Sequence, residues 1–181
     1  IELITIILKK LNFSFFNESL NILEHKQKKK ISKNELVQLH FDEKWIHKSY
    51  INKYTNIEPT KDELIFFISS ILLKTNNNLI ITTGRKTPKL LNIINNFLLK
   101  KNIKLYENLS FIQLEDITIN SDLLISCHGA ISHIASAKKI KQIDIIDDSY
   151  PYHKWTSHFR NYNYINRESF NNLTKKIIKI I

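Results

Sequence analysis

The chain has 181 residues, room for one domain with a substantial core or for one domain plus a helical appendage. Hydrophobic residues make up 43% and charged residues 24%, which excludes intrinsic disorder, and no apolar run approaches the ~20 residues that span a bilayer. The net charge of +10 invites a nucleic-acid reading, but it rests on 24 lysines against three arginines, beside 32 isoleucines and 20 asparagines. That is the signature of A/T-rich codons rather than of planar guanidinium forks chosen to read phosphates and bases, so nucleic acid is a disfavoured partner.

Residues 1–33 read as an N-terminal helical connector with a basic finish at Lys28-Lys29-Lys30. Its start lacks the basic leader and small-residue cleavage site of a signal peptide. The sequence contains no methionine, so the expectation is a portion of a longer protein whose missing domain holds part of the active site. A single cysteine, Cys127, suits a reducing compartment, hence a cytoplasmic location, free or at the inner face of the membrane.

Residues 34–181 alternate between strand and helix patterns. Leu36 to Phe41 predicts a strand; Thr60-Lys61-Asp62-Glu63 resembles a capping box opening a helix through Leu73. Leu79 to Thr83 predicts a strand, and Pro88 to Lys101 one helix with Leu91, Ile94 and Leu98 on its inner face. A short strand over Ile103 to Tyr106 and a short helix or turn over Ile112 to Ile119 follow. Leu123 to Ser126 predicts a buried strand, Ala130 to Lys138 a helix, Gln142 to Ile146 a strand and Tyr162 to Ile165 an edge strand. Phe170 to Ile180 closes the chain as a helix. Strands and helices at this spacing predict an α/β, Rossmann-like parallel sheet with helices on both faces, preceded by the helical segment.

The only two glycines, Gly84 and Gly129, both stand where a strand gives way to a helical pattern. In an open parallel sheet the carboxyl ends of the strands are where ligands bind, against helix N-termini. The two are therefore expected on one edge of the sheet, in one cleft, with an ordinary strand-to-helix turn as the alternative for each. Ser126-Cys127-His128-Gly129-Ala130-Ile131-Ser132-His133 is the richest segment: a buried strand, a polar turn, then a helix of small residues. Such a helix start is a seat for a phosphate or diphosphate, with His133 on its first turn as a further donor or as an ordinary half-buried histidine.

The order from Val37 to His158 resembles the C-terminal, donor-binding half of a GT-B glycosyltransferase, and most resembles glycosyltransferase family 9, the heptosyltransferase-like group. In that family a strand ends in a Thr/Ser-Asp-Thr/Ser-Gly turn, and a helix opening with His and Ala-rich positions holds the donor diphosphate. Here the turn is Ser126-Cys127-His128-Gly129 and the helix carries His133-Ile134-Ala135. The family's acid has become His128 or Cys127, and the gap from glycine to histidine is one residue longer. His40-Phe41-Asp42-Glu43-Lys44-Trp45 resembles the family's loop after the first strand of this half, where a basic residue lies near a Trp. Lys44 is thus implied to neutralise phosphate charge, the alternative being a surface lysine beside a packing Trp45. Gly84-Arg85 matches the loop after the second strand, and Ser110-Phe111 the loop lining the base pocket, where an aromatic at a helix start is otherwise more often core. An aromatic, histidine-bearing loop over residues 147–160 matches one that the family places near the cleft.

The resemblance implies transfer of a sugar from a nucleotide-sugar donor to a glycan or lipid-linked acceptor, in the building of bacterial cell-envelope polysaccharide. It implies donor contacts from Lys44, Gly84, Arg85, Ser110, Phe111, His128, Gly129, Ala130 and His133. No metal and no cofactor besides the donor is expected, and the catalytic carboxylate is expected from the missing N-terminal domain, leaving this chain alone inactive. Two alternatives stay open: a non-catalytic Rossmann-like module in polysaccharide assembly, and a basic nucleic-acid-binding domain.

Overall fold

A computed structural model describes residues 35–46, 58–147 and 151–181. The helical connector expected over residues 1–33 lies outside them. Six strands form one sheet in the order β3-β2-β1-β4-β5-β6, every neighbouring pair parallel. They are β1 (Val37–His40), β2 (Leu79–Thr82), β3 (Lys104–Tyr106), β4 (Leu123–Cys127), β5 (Lys141–Ile146) and β6 (Tyr162–Asn166). The helices are α1 (Lys61–Lys74), α2 (Lys89–Ile93), α3 (Asn95–Lys100), α4 (Phe111–Ile119), α5 (Ala130–Ala137), α6 (Tyr152–Thr156) and α7 (Phe170–Ile180). The Rossmann-like α/β expectation is what is found.

Local sequence explains most boundaries. Thr60 and Glu63 form the capping box that opens α1: Glu63 N–H donates to Thr60 Oγ1 at 3.2 Å and Thr60 N–H to Glu63 Oε2 at 2.8 Å. Ser110 and Gln113 build a second box at α4. The single helix expected over 88–101 is instead two pieces meeting at Ile94 (φ −96°, ψ 8°). Asn92, Asn95 and Asn96 crowd that joint, and asparagine is a weak helix former. Leu91, Ile94 and Leu98 are nonetheless all buried, as their spacing predicted. A second correction is α6, a short helix inside the aromatic segment read as loop. Its last residue is tied by Thr156 Oγ1 donating to the Tyr152 carbonyl at 3.0 Å.

The two faces of the sheet differ in chemistry because alternate side chains point to opposite sides. Val37, Leu39, Ile81, Leu123, Ile125, Ile143 and Ile145 share one core with α1, α2, α3 and α7. At its top Phe41, Trp45, Phe67 and Phe170 pack with ring centroids 5.2 to 6.1 Å apart. The opposite face carries Gln38, His40, Thr82, Ser126, Gln142 and Asp144, all buried and all polar, with a small apolar cluster of Leu124, Ile131 and Ala135 beneath α5. A parallel sheet ordinarily buries apolar residues on both sides. The polar strip is where this chain departs from that rule, and it leads to the carboxyl edge.

Left-handed turns fall to asparagine. Asn76, Asn77, Asn102, Asn108 and Asn161, together with Lys139, have φ between 50° and 63°, whereas neither glycine does. Asparagine tolerates this region because its short amide bonds locally. Glycine is therefore retained for a different reason.

Candidate functional site

β1 is central and its neighbours β2 and β4 are reached by crossovers leaving in opposite directions, so the sheet's switch point lies between β1 and β4. The turn after β1, Glu43–Trp45, is held between the two glycine loops. A Cβ on Gly84 would come within 3.0 Å of Glu43 Oε2, and one on Gly129 within 2.1 Å of Lys44 Nζ. Close approach, not a left-handed backbone, is what both glycines permit. They lie on the same edge, as expected, and on either side of one loop.

That loop is fastened from beneath. Trp45, 1% exposed, donates its Nε1–H to the His40 carbonyl at 2.7 Å. Arg167, following β6, donates to the Lys44 carbonyl, to the Trp45 carbonyl at 2.6 Å and to Cys127 Sγ at 3.3 Å. Trp45 is thus a packing residue, one of the two readings its sequence position allowed, while the Lys44 side chain is only 18% exposed and is no surface lysine. Lys44 Nζ lies 3.3 Å from Asp42 Oδ2, and His40 Nε2 lies 3.5 Å from the same oxygen. Burial pushes the Asp42 carboxyl up, but the His40 hydrogen bond and charge, then Lys44, outweigh it and hold the group below its ordinary value.

On the other side of the switch point Asp144, fully buried, gathers four donors. Ser132 Oγ lies at 2.8 Å, Ser126 Oγ at 3.3 Å, Tyr162 OH at 3.1 Å and His128 Nδ1 at 2.6 Å. Ser132 Oγ also accepts the Gly129 N–H at 3.2 Å. The amides of Ala130 and Ile131 remain as first-turn donors of α5, which by helix geometry have no intrahelical acceptor. His133 is exposed on the same turn, its ring 5.0 Å from Phe159 and 5.5 Å from His128. Partial burial first, then repulsion from His128 and His158, hold its pKa below the usual imidazole value. Tyr152 closes on His128 at 4.8 Å and on the half-exposed Trp155 at 5.7 Å.

The structure therefore places Lys44, Gly84, His128, Gly129, Ala130 and His133 at the carboxyl edge of the sheet, around the turn after β1 and the start of α5. Arg85 is exposed on the loop after β2, Ser110 serves as the cap of α4, and Phe111 stands 61% exposed beside it rather than in the core. Asp144, Arg167 and Tyr162 were not singled out from sequence. The signals were slight: an acid between two isoleucines within a strand, and one of only three arginines. Cys127 is buried among β-strand neighbours, its thiol pushed far up, chiefly by that burial. Among the described residues no helix is long and apolar enough to cross a membrane.

No protein-family model and no curated protein matches the sequence. Solved structures do resemble the fold. E. coli heptosyltransferase WaaC with ADP-2-deoxy-2-fluoro heptose superposes with a TM-score of 0.56 at 11% identity, over 96% of this chain and 53% of that one. The same enzyme with ADP gives 0.55 at 10% identity, over 96% and 54%. The Methanocaldococcus jannaschii UDP-GlcNAc 2-epimerase in complex with UDP-GlcNAc and UDP gives 0.52 at 16% identity, over 88% and 43%. The chain spans about half the length of each, and the likeness shows a GT-B-like, Rossmann-type fold.

Proposed function

We propose that this chain is the donor-binding half of a GT-B glycosyltransferase similar to family 9, and that it holds the diphosphate of a nucleotide sugar in the crevice between β1 and β4. The observation that carries the reading is the Lys44 ammonium stationed over Gly129, at the start of an eight-residue helix. A cation at the positive end of a helix is unfavourable unless negative charge comes to the same place. Asp42 supplies one such charge from below, and a diphosphate would supply more from above, meeting the Ala130 and Ile131 amides and His133. The exposed Phe111 offers a ring on which a base can stack. The structural neighbours in complex with ADP, UDP or a nucleotide sugar support the same reading. Acceptor and catalytic carboxylate belong to a partner domain in this proposal.

The test is calorimetric titration with ADP, GDP and UDP up to millimolar concentration, in parallel with Lys44→Ala. One nucleotide should bind, and the variant should weaken it by about 1.5–3 kcal/mol, or about 10- to 100-fold, the worth of one charge-assisted contact. Absence of binding by all three nucleotides overturns the reading in favour of a non-catalytic module.

A further inference from the structure

The His128–Asp144 pair has a chemistry that diphosphate binding by Lys44 and the helix start does not use. The His128 side chain is only 10% exposed and Asp144 is fully enclosed. Asp144 already accepts from the Ser132 hydroxyl, which is itself taken as acceptor by the Gly129 N–H, and from Tyr162, so the 2.6 Å contact assigns the N–H to His128 Nδ1. Nε2 is then a bare lone pair when the ring is neutral, and no described group hydrogen-bonds to it. An incoming phosphate oxygen also brings lone pairs. The two repel unless a proton stands between them.

We propose that His128 takes up a proton when an anionic diphosphate enters the crevice, with Asp144 as its buried counter-charge, so that nucleotide binding is coupled to protonation of this one imidazole. The proposal rests on the diphosphate reading above and extends it. The surrounding groups fit. Ser126 and Ser132 hold the other oxygen of Asp144, and the Tyr162 hydroxyl, kept protonated by burial and then by Asp144 itself, donates beside His128. Lys44, across Gly129, adds positive charge that works against a second cation, and His158 stands beyond Phe159, while Asp147 is buried just after β5. Tyr152 encloses the ring at 4.8 Å without carrying charge at neutral pH. His133 competes for the same proton, but it is disfavoured by partial burial and by the neighbouring imidazoles, and among the described residues it has no carboxylate contact of its own. The pairing with Asp144 also accounts for a histidine standing where a short polar residue precedes the glycine in the resembled turn: the position is built with its counter-ion.

The experiment is calorimetry of the tightest-binding nucleotide at about pH 7.5 in two buffers of different ionisation enthalpy, whose difference reports protons exchanged. Wild-type protein should take up more protons per nucleotide than His128→Gln, by up to one, and this excess should also vanish in Asp144→Asn. His133→Gln should retain it. Comparison with His128→Gln removes the contribution of the nucleotide's own phosphate. Tyr162→Phe, which keeps the carboxylate, serves if Asp144→Asn fails to fold, and should reduce affinity while retaining the uptake. Equal proton uptake by wild type and His128→Gln overturns the coupling while leaving nucleotide binding intact. Absence of binding in the wild type overturns the site itself, so the two failures are distinct.

Discussion

Gly129→Ala is the substitution on which the site's geometry is most exposed. The backbone there is extended (φ 179°, ψ −167°), so alanine brings no conformational strain. The new methyl carbon would stand 2.1 Å from Lys44 Nζ, against an ordinary contact limit of 3.4 Å, so the ammonium must retreat by about 1.3 Å. The atom that yields is the far end of a flexible side chain, and the next contact, Lys44 Cε, is already acceptable at 3.4 Å. Stability should change by less than about 1 kcal/mol, a shift of about 2–4 °C at most for a chain of this size. Nucleotide affinity should fall toward that of Lys44→Ala, about 10- to 100-fold, because a charge-assisted contact does not survive a displacement of that length. Titration calorimetry with thermal melting as the folding control gives both numbers. The double variant completes a cycle in which Gly129→Ala costs little once Lys44 is gone. Unchanged affinity in Gly129→Ala, or full additivity in the cycle, would refute the placement of the ammonium over the helix start. A drop in melting temperature beyond about 5 °C would show that the backbone, not the lysine, governs the position.

Asp42→Asn removes the charge shared by His40 and Lys44 and should cost about 3 kcal/mol in urea unfolding, as breaking enclosed ion pairs does. Because Asp42 has a lowered folded pKa, its contribution is present above about pH 4 and is lost as pH falls through the folded value, so the variant should also show a shallower acid limb. His133 acts in the same sense at higher pH: its folded pKa lies below the unfolded value, the unfolded chain binds more protons, and stability rises with pH through the window just below about 6.5. His133→Gln should flatten the stability profile there, measured by melting between about pH 5 and 7. Cys127, buried with its thiol pushed up, should resist a thiol-reactive dye in the native protein and react fully only in denaturant; rapid native labelling would contradict its burial.

The period of the apolar residues was enough to read the α/β class, the strand positions and the closing helix, because burial on a sheet or a helix face imposes spacing. The break at Ile94 was not legible, since Leu91, Ile94 and Leu98 keep a helical period across it and only the asparagines mark the joint. Gly84 and Gly129 pointed to the right edge for a reason that needed coordinates. Scarcity of glycine looked like a matter of turns, yet asparagine makes the turns and glycine gives way to a lysine and a glutamate. Asp144 and Arg167 were invisible for a common cause. Each acts across chain distances, 12 to 18 residues for Asp144 and 122 to 123 for the two carbonyls held by Arg167, and sequence carries no local trace of such partners.

The β1–β4 ladder pairs Leu39 with Ile125 and His40 with Ser126, and it is the seam at which the chain divides into halves of near-equal content. Everything N-terminal to α4 supplies β3, β2 and β1 with Lys44 and Asp42; everything after it supplies β4, β5 and β6 with His128, Asp144 and Arg167. Neither half carries the site alone, and opening along that seam, which also splits the core shared by α1 and α7, would part the lysine from its helix. A single cut in the exposed stretch at Glu107 and Asn108 would leave two fragments whose reassociation rebuilds the crevice, with the Arg167 clasp on the Lys44 and Trp45 carbonyls as its latch. Ligand affinity then becomes a direct measure of how firmly two sub-sheets hold together.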